Sequence, residues 1–156
     1  MRVTILFGTE MGTAEVVAET VAEVLSAEHD VRVCEMCDFD TDDIAITDFH
    51  VLICSTYGSG DLPTGAEPFV AQLDDRLPDL TGLRFAVFGL GDSIYHTTFN
   101  RAGEIFDEKF TTLGAVRIGE HARHDASAET RAQDLARDWA ANLPVPEPTR
   151  PLGLSV

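Results

Sequence analysis

The segment from Gly8 to Glu15 follows a short apolar run and combines glycines with the hydroxyls of Thr9 and Thr13. A helix is predicted to begin here, so its first N–H groups and its dipole favour a bound anion. The loop holds no Lys or Arg, and neither G-x-x-x-x-G-K-[ST] nor G-x-G-x-x-G occurs in it. These features predict a site for a monoester phosphate held by neutral donors. The alternative is an ordinary turn in which Thr9 or Thr13 caps the helix.

Two further segments, residues 55–63 and 88–96, each combine two glycines with one tyrosine, Tyr57 in the first and Tyr95 in the second. A flat aromatic face beside glycine backbone suits a planar ligand, because the backbone can approach it closely. A long turn with a partly exposed tyrosine is the alternative for each segment. Taken with the first loop, the two segments predict a clamp for a phosphorylated aromatic ring.

The charge of the chain narrows the choice of partners. Its 27 acidic and 11 basic residues give a formal net charge of −16. Such a chain is repelled by phosphate backbones and anionic lipids, so we expect no nucleic-acid and no membrane partner. Lys109 is the only Lys among the 11 basic residues. An acidic, Lys-poor surface indicates adaptation to concentrated salt, and codon usage in a GC-rich genome is the alternative explanation.

The three cysteines are an odd number, and the N-terminal apolar run is too short for a signal peptide. We therefore expect a reducing, cytoplasmic location. Cys34 and Cys37 have C-x-x-C spacing, but they follow a strand-like stretch instead of opening a helix. No second pair completes a zinc site, so we expect no metal centre.

Alternating strand-like and helix-like stretches must position these loops. Short apolar runs typical of buried strands cover residues 3–7, 31–33, 50–54, 84–89 and 115–118. Stretches with helical spacing of apolar residues cover residues 12–29, 66–77, 101–113 and 126–143. Near-continuous hydrophobic strands separated by helices predict an α/β fold with a parallel sheet covered on both faces. Five strands fit the doubly wound order 2-1-3-4-5, in which ligands bind beyond the carboxyl ends of the strands.

The apolar faces of these helices predict the core. The inward residues of three helices are Val16, Val17, Val21, Val24 and Leu25, then Phe69, Val70, Leu73 and Leu77, then Ala132, Leu135, Ala136 and Trp139. Four of the seven prolines come after Leu143. We therefore expect one domain over residues 1–143 and an extended Pro-rich tail over residues 144–156.

The three loops, in this order and spacing, resemble those of the flavodoxin family over residues 1–143. The likeness is greatest to the FMN domains of the diflavin reductases (cytochrome P450 reductase, sulfite reductase) and to the short MioC-like flavodoxins. Its motifs are G-T-E-M-G-T-A-E from Gly8, S-T-Y-G-S-G-D from Ser55 and G-L-G-D-S-I-Y from Gly89. The resemblance implies a flavodoxin-like fold, FMN as the cofactor and one-electron transfer as the activity.

The resemblance also implies which residues contact the flavin. Those around the phosphate would be Thr9, Glu10, Met11, Gly12, Thr13 and Ala14. Those of the second and third loops would be Ser55, Thr56, Tyr57, Gly58, Gly60, Leu90, Gly91, Asp92 and Tyr95. Tyr57 and Tyr95 would cover the two faces of the ring, with Gly58 near N5. Asp125 would lie near the flavin edge, and capping of the last helix is its alternative role. Met11 departs from the family, because most members have Thr there.

We expect a single-electron carrier between a reductase and an acceptor enzyme, without catalytic residues of its own. The Gly58 peptide can flip to accept a hydrogen bond from N5–H, and the acidic rim with Asp61 and Asp92 opposes further negative charge. Cycling between neutral semiquinone and hydroquinone is therefore expected. The chain is expected to act as a monomer and its partners to dock through basic surfaces. The alternative is an FMN-dependent quinone or azo reductase, which needs an open pocket above the ring, whereas the two tyrosines would cover both ring faces.

Overall fold

The structure is a computed structural model that describes residues 1–56, 61–91 and 101–147. The strands in these ranges are β1 (Arg2–Gly8), β2 (Asp30–Glu35), β3 (Phe49–Ser55), β4 (Arg84–Gly91), β5 (Val116–Arg117) and β6 (Ala122–Asp125). The helices are α1 (Thr13–Leu25), α2 (Glu67–Arg76), α3 (Arg101–Thr112) and α4 (Ala132–Ala141). Short 3-10 turns occupy Met36–Asp38 and Thr41–Asp43. None of the helices in the described ranges is long and apolar enough to cross a bilayer.

The strands form one parallel sheet in the order β2-β1-β3-β4-β5, which confirms the predicted doubly wound fold. β6 was not predicted, because its sequence is polar and lacks an apolar run. It pairs with β4 in parallel, beyond the two-residue β5. The register aligns Gly8 with Cys54 and Ser55 with Leu90, so the carboxyl ends of the central strands meet at one edge of the sheet.

Side chains alternate between the two faces of the sheet and form a separate apolar core on each. In β3, Val51 and Ile53 pack with α1 and α4, whereas Leu52 packs with α2 and α3. The second core is rich in phenylalanine, and the ring centroids of Phe85 and Phe110 lie 5.3 Å apart. Each fully buried side chain of this size contributes about 1.5 to 3 kcal/mol to folding. These two cores hold the loops at the carboxyl edge on a rigid base.

Several predicted helix boundaries and inward positions were wrong. α1 ends at Leu25 instead of residue 29, and Val16 on its outer side is 38% exposed. Leu77 was expected inside but is 68% exposed, because α2 ends at Arg76 and Leu77 takes a left-handed conformation with φ 44°. The last helix begins at Ala132 instead of residue 126, because the chain before it forms β6 and a turn.

A polar network, buried at Thr4, Asp48 and His50 and exposed at Arg32, crosses β2, β1 and β3. Thr4 is in register with both Arg32 and His50, and the Arg32 Nε donates to Thr4 Oγ1 over 3.1 Å. Thr4 Oγ1 donates to Asp48 Oδ2, and His50 Nδ1 lies 3.1 Å from the Asp48 carbonyl oxygen. His50 is fully buried, and its Nε2 has no partner among the described residues. Burial lowers the pKa of His50 to about 4, so the imidazole is neutral at pH 7.

The first residues of the expected tail lie against the body of the domain. Val145 packs on the core beneath α1 and α4, and Arg84 Nη2 donates to the Glu147 carbonyl oxygen over 3.1 Å. Residues 148–156, most of the expected tail, lie outside the described residues. The boundary after residue 143 stays a prediction.

Candidate functional site

The first candidate loop joins β1 to α1 and turns at Gly12. Gly12 has φ 95° and ψ −9°, a left-handed conformation that is costly for any residue with a Cβ. Its amide donates to Thr9 Oγ1 over 2.8 Å, which closes the loop. Thr9 keeps its own hydroxyl hydrogen for a further acceptor, because a hydroxyl both accepts and donates. The loop is therefore closed by one glycine and one threonine, two of the residues that the sequence predicts for the phosphate site.

Among the described residues, no side chain caps the N-terminus of α1. The first-turn amides of Thr13, Ala14 and Glu15 have no acceptor within the helix. Thr9 accepts from the amide of Gly12, just before the helix, and within the described ranges neither Thr9 nor Thr13 accepts from a first-turn amide of α1. An open groove of about 470 Å³ lies against this turn, between the first turns of α1 and α4. Amides at the positive end of a 13-residue helix are suited to bind a phosphate.

Met11 and Glu10 lie in the same loop and were also predicted to surround the phosphate. In the structure the Met11 side chain is exposed, and the Glu10 side chain contacts another segment of the chain. The Met11 side chain is 89% exposed. The Glu10 carboxylate accepts hydrogen bonds from Thr64, over 2.6 Å from its amide and 3.0 Å from its hydroxyl. Among the described residues, the contacts of the Glu10 side chain are therefore with the chain before α2. No spacing rule connects positions 10 and 64, so Thr64 could not be found from the sequence.

The second candidate loop begins where Ser55 ends β3. The Thr56 amide donates to the Leu90 carbonyl oxygen over 2.8 Å, and Thr56 Oγ1 accepts from the Ala102 amide over 3.1 Å. Thr56 thus joins the ends of β3 and β4 to the first turn of α3. The predicted ring contacts Tyr57, Gly58 and Gly60 lie outside the described residues.

The third candidate loop begins at the end of β4. Leu90 is buried, and the Gly91 carbonyl oxygen accepts from the Ala126 amide over 2.8 Å. Asp92 and Tyr95, which were predicted to border and cover the ring, lie outside the described residues.

Asp125 ends β6 directly beside Gly91, with which it is in register. Its carboxylate accepts from the Ser127 amide over 2.9 Å. The alternative role of Asp125 as the cap of the last helix is wrong, because α4 begins at Ala132, seven residues later. The unpredicted strand β6 is what brings this carboxylate to the same edge as the three loops.

The C-x-x-C pair lies on β2 and in the turn that follows it. Cys34 and Cys37 are both free thiols. Desolvation and the negative charges of Glu35 and Asp38 raise the pKa of the exposed Cys37 thiol. A raised pKa disfavours the thiolate, which is the form that reacts and binds metal.

A doubly wound parallel sheet with a helix N-terminus suited to an anion at its switch point is typical of mononucleotide-binding α/β proteins. The sequence matches the flavodoxin family over residues 5–139, and the chain belongs to that family. A cysteine-to-serine mutant of flavodoxin from Pseudomonas aeruginosa is 36% identical with a TM-score of 0.79, and 90% of this chain and 95% of that chain are covered. Oxidised flavodoxin 2 from Bacillus cereus is 30% identical with a TM-score of 0.78, with 90% and 95% covered.

The chain is also similar to part of a larger protein. It is 35% identical to the sulfite reductase [NADPH] flavoprotein alpha-component of Neisseria meningitidis serogroup A. The match covers 97% of this chain and 27% of that protein, so the chain spans about a quarter of the length of this relative.

FMN is the cofactor of this flavodoxin-family chain. The described residues fit it on structural grounds as well. The uncapped amides of α1 and the Thr9 hydroxyl suit a phosphate monoester, and the loop has no cation that a triphosphate would need.

Proposed function

We propose that this chain is an FMN electron carrier that takes single electrons from a reductase and passes them to an acceptor protein. The observation that carries the proposal is the uncapped N-terminus of α1, which opens at the edge where β1, β3, β4 and β6 end. The described residues bring amides, hydroxyls and a carboxylate to this edge, which are groups for binding and tuning a flavin. The flavin itself supplies the redox chemistry.

In this proposal Thr9 and the amides of Gly12, Thr13 and Ala14 hold the phosphate. Ser55, Thr56, Leu90 and Gly91 border the ring at the ends of β3 and β4, and Asp125 lies toward its edge. Tyr57 and Tyr95 cover the faces, with Gly58 near N5, Gly60 beside the pyrimidine and Asp92 at the rim. The support for this assignment is the shared edge of the sheet for the described members and the family resemblance for the others.

We further propose that the protein cycles between the neutral semiquinone and the hydroquinone. The Gly58 carbonyl would accept a hydrogen bond from N5–H in the first state, because a glycine peptide flips at small steric cost. The negative charge of the second state would be opposed by the acidic rim with Asp61 and Asp92, and by Asp125 at the end of β6. Two charges about 8 Å apart at an effective dielectric near 20 interact by about 2 kcal/mol, or roughly 90 mV for one electron.

The proposed partners dock through basic surfaces onto the acidic edge of the chain. Asp61 and Glu67, which lie between β3 and the first turn of α2, are both exposed. With a net charge of −16, the chain steers a basic partner toward this face and repels other copies of itself, which favours a monomer. The three free thiols support a cytoplasmic location.

An anaerobic redox titration tests the redox cycle. We expect two separate one-electron steps with a broad long-wavelength absorbance between them, and much less of that absorbance in Gly58→Val at equal FMN content. A single two-electron step in the wild-type protein would reject the proposed cycle. It would favour the quinone or azo reductase instead, which steady-state oxidation of NADPH in the presence of a quinone would then detect.

A further inference from the structure

The chain before α2 packs against the phosphate loop residue by residue, in antiparallel order. A Cβ added to Gly8 would lie 2.7 Å from the Cβ of Ala66. A Cβ added to Gly65 would lie 3.0 Å from the Thr9 carbonyl oxygen and 2.9 Å from the Glu35 carboxylate. The 2.7 Å distance is shorter than real Cβ contacts and the 3.0 Å distance is tighter than nearly all of them, so these two segments approach each other closely at both glycines. Beyond these pairs come Glu10 and Thr64, where the contact is made by hydrogen bonds.

The Glu10 carboxylate has both oxygens engaged by one residue. Oε2 accepts from the Thr64 amide over 2.6 Å, and Oε1 accepts from the Thr64 hydroxyl over 3.0 Å. Hydrogen bonds to an ionised acceptor are stronger than those between neutral groups. The two hydrogen bonds from Thr64 fix the direction of the Glu10 side chain. The backbone of Glu10 lies between Thr9 and Gly12, the two residues that close the turn.

We infer that Glu10 is a positioning residue for the FMN phosphate, acting through Thr64, instead of a phosphate contact. This inference rests on the proposed phosphate site. Held by Thr64, the carboxylate is kept toward the chain before α2 and fixes the turn that presents the Thr9 hydroxyl and the first amides of α1. Released from Thr64, it would leave the turn less ordered and add a negative charge that is free to approach the phosphate.

The test compares the dissociation constants of FMN and riboflavin, which differ only in the phosphate, by flavin fluorescence quenching. We expect Thr64→Val and Glu10→Ala each to weaken FMN binding about three- to tenfold, the usual worth of a hydrogen bond, and to leave riboflavin binding unchanged. Thr64→Ser keeps the hydroxyl, so its FMN affinity should equal that of the wild-type protein. In the double variant Glu10→Ala/Thr64→Val, the loss should be no larger than in Glu10→Ala alone.

Thr81→Val is the matched control, because the Thr81 amide and hydroxyl also bind one carboxylate, that of Asp79, just before β4. Thr81→Val should lower neither the FMN affinity nor the riboflavin affinity. Tighter FMN binding by Glu10→Ala would show that the carboxylate merely repels the phosphate and would overturn the inference. An unchanged FMN-to-riboflavin ratio in Thr64→Val would also overturn it while leaving the phosphate site intact. A wild-type protein that binds FMN and riboflavin equally would overturn the phosphate site, and the inference with it.

Discussion

The amide of Gly12 donates to the hydroxyl oxygen of Thr9 over 2.8 Å, and this single bond closes the loop between β1 and α1. It requires Gly12 to keep φ at 95°, although a Cβ at this position would meet no atom within 4 Å. The structure therefore constrains the residue type at position 12 through its backbone conformation and not through crowding by neighbouring atoms. Any other residue here must either bear the left-handed conformation or reshape the turn.

We expect Gly12→Ala to weaken FMN binding about fivefold or more, because the left-handed conformation costs a residue with a Cβ about 1 to 2 kcal/mol. Riboflavin binding should change less, since the turn serves the phosphate. Gly82→Ala is the matched control, because Gly82 also has a positive φ, 90°, and lies just before β4. Equal FMN affinity of Gly12→Ala and wild type, measured by fluorescence titration, would contradict the phosphate site.

Stacking by Tyr95 is a prediction from the sequence alone. If Tyr57 and Tyr95 cover the two ring faces, the fluorescence of bound FMN should be almost fully quenched. Tyr95→Ala should weaken FMN binding by about 1 to 3 kcal/mol, the scale of aromatic stacking on a nucleobase. Tyr95→Phe keeps the ring face and serves as the control. Unchanged affinity in Tyr95→Ala would show that the third loop does not stack on the flavin.

The central sheet was predictable because its strands are nearly continuous apolar runs, such as Val51–Leu52–Ile53, that only a doubly covered parallel sheet buries. β6 was not predictable, because Arg123 and His124 carry no apolar signal and the strand forms by pairing with β4. The exposed Leu77 is a similar case, since helical spacing cannot show that α2 stops one residue earlier.

The candidate site was likewise predictable only in part. A glycine and hydroxyls before a helix are a local signal, so the turn at Gly12 with Thr9 could be predicted. The contacts of Glu10 with Thr64 and of Thr56 with Ala102 join residues 54 and 46 positions apart. Such contacts depend on the assembled sheet. The sequence could therefore locate the phosphate loop but not the residues that hold it in place.

Buried His50 makes stability depend on pH. Its pKa is lowered to about 4 in the folded chain from 6.5, mainly by burial, with Asp48 opposing the shift and Arg32 adding to it. Between these values the unfolded chain binds the extra proton, so stability is complete above pH 6.5 and falls as the pH drops toward 4. The full shift corresponds to about 3 kcal/mol at 1.36 kcal/mol per pKa unit.

We expect His50→Asn to reduce this pH dependence, because Asn keeps a donor for the Asp48 carbonyl oxygen but does not titrate. Denaturant unfolding at pH 7.5 and pH 5 measures the difference for both proteins. His121, whose pKa burial also lowers to about 4, remains in both and contributes equally. A pH slope as steep in His50→Asn as in the wild-type protein would assign the dependence to other groups.

Salt should stabilise this chain strongly if its acidic surface reflects adaptation to concentrated salt. A net charge of −16 on 156 residues repels itself, and near 1 M salt the screening length shrinks to about 3 Å. We therefore expect the melting temperature to rise steeply between low and molar KCl.

Glu19→Gln should raise the melting temperature at low salt, because the exposed Glu19 has no ion pair within the described part of the chain and contributes only repulsion. Asp107→Asn is the comparison variant, since Asp107 lies 2.6 Å from Arg117 and removing its charge also removes an attraction. That variant should gain less at low salt than Glu19→Gln. A melting temperature that stays flat across the salt series, with no gain in Glu19→Gln, would leave codon usage as the explanation of the acidic, Lys-poor composition.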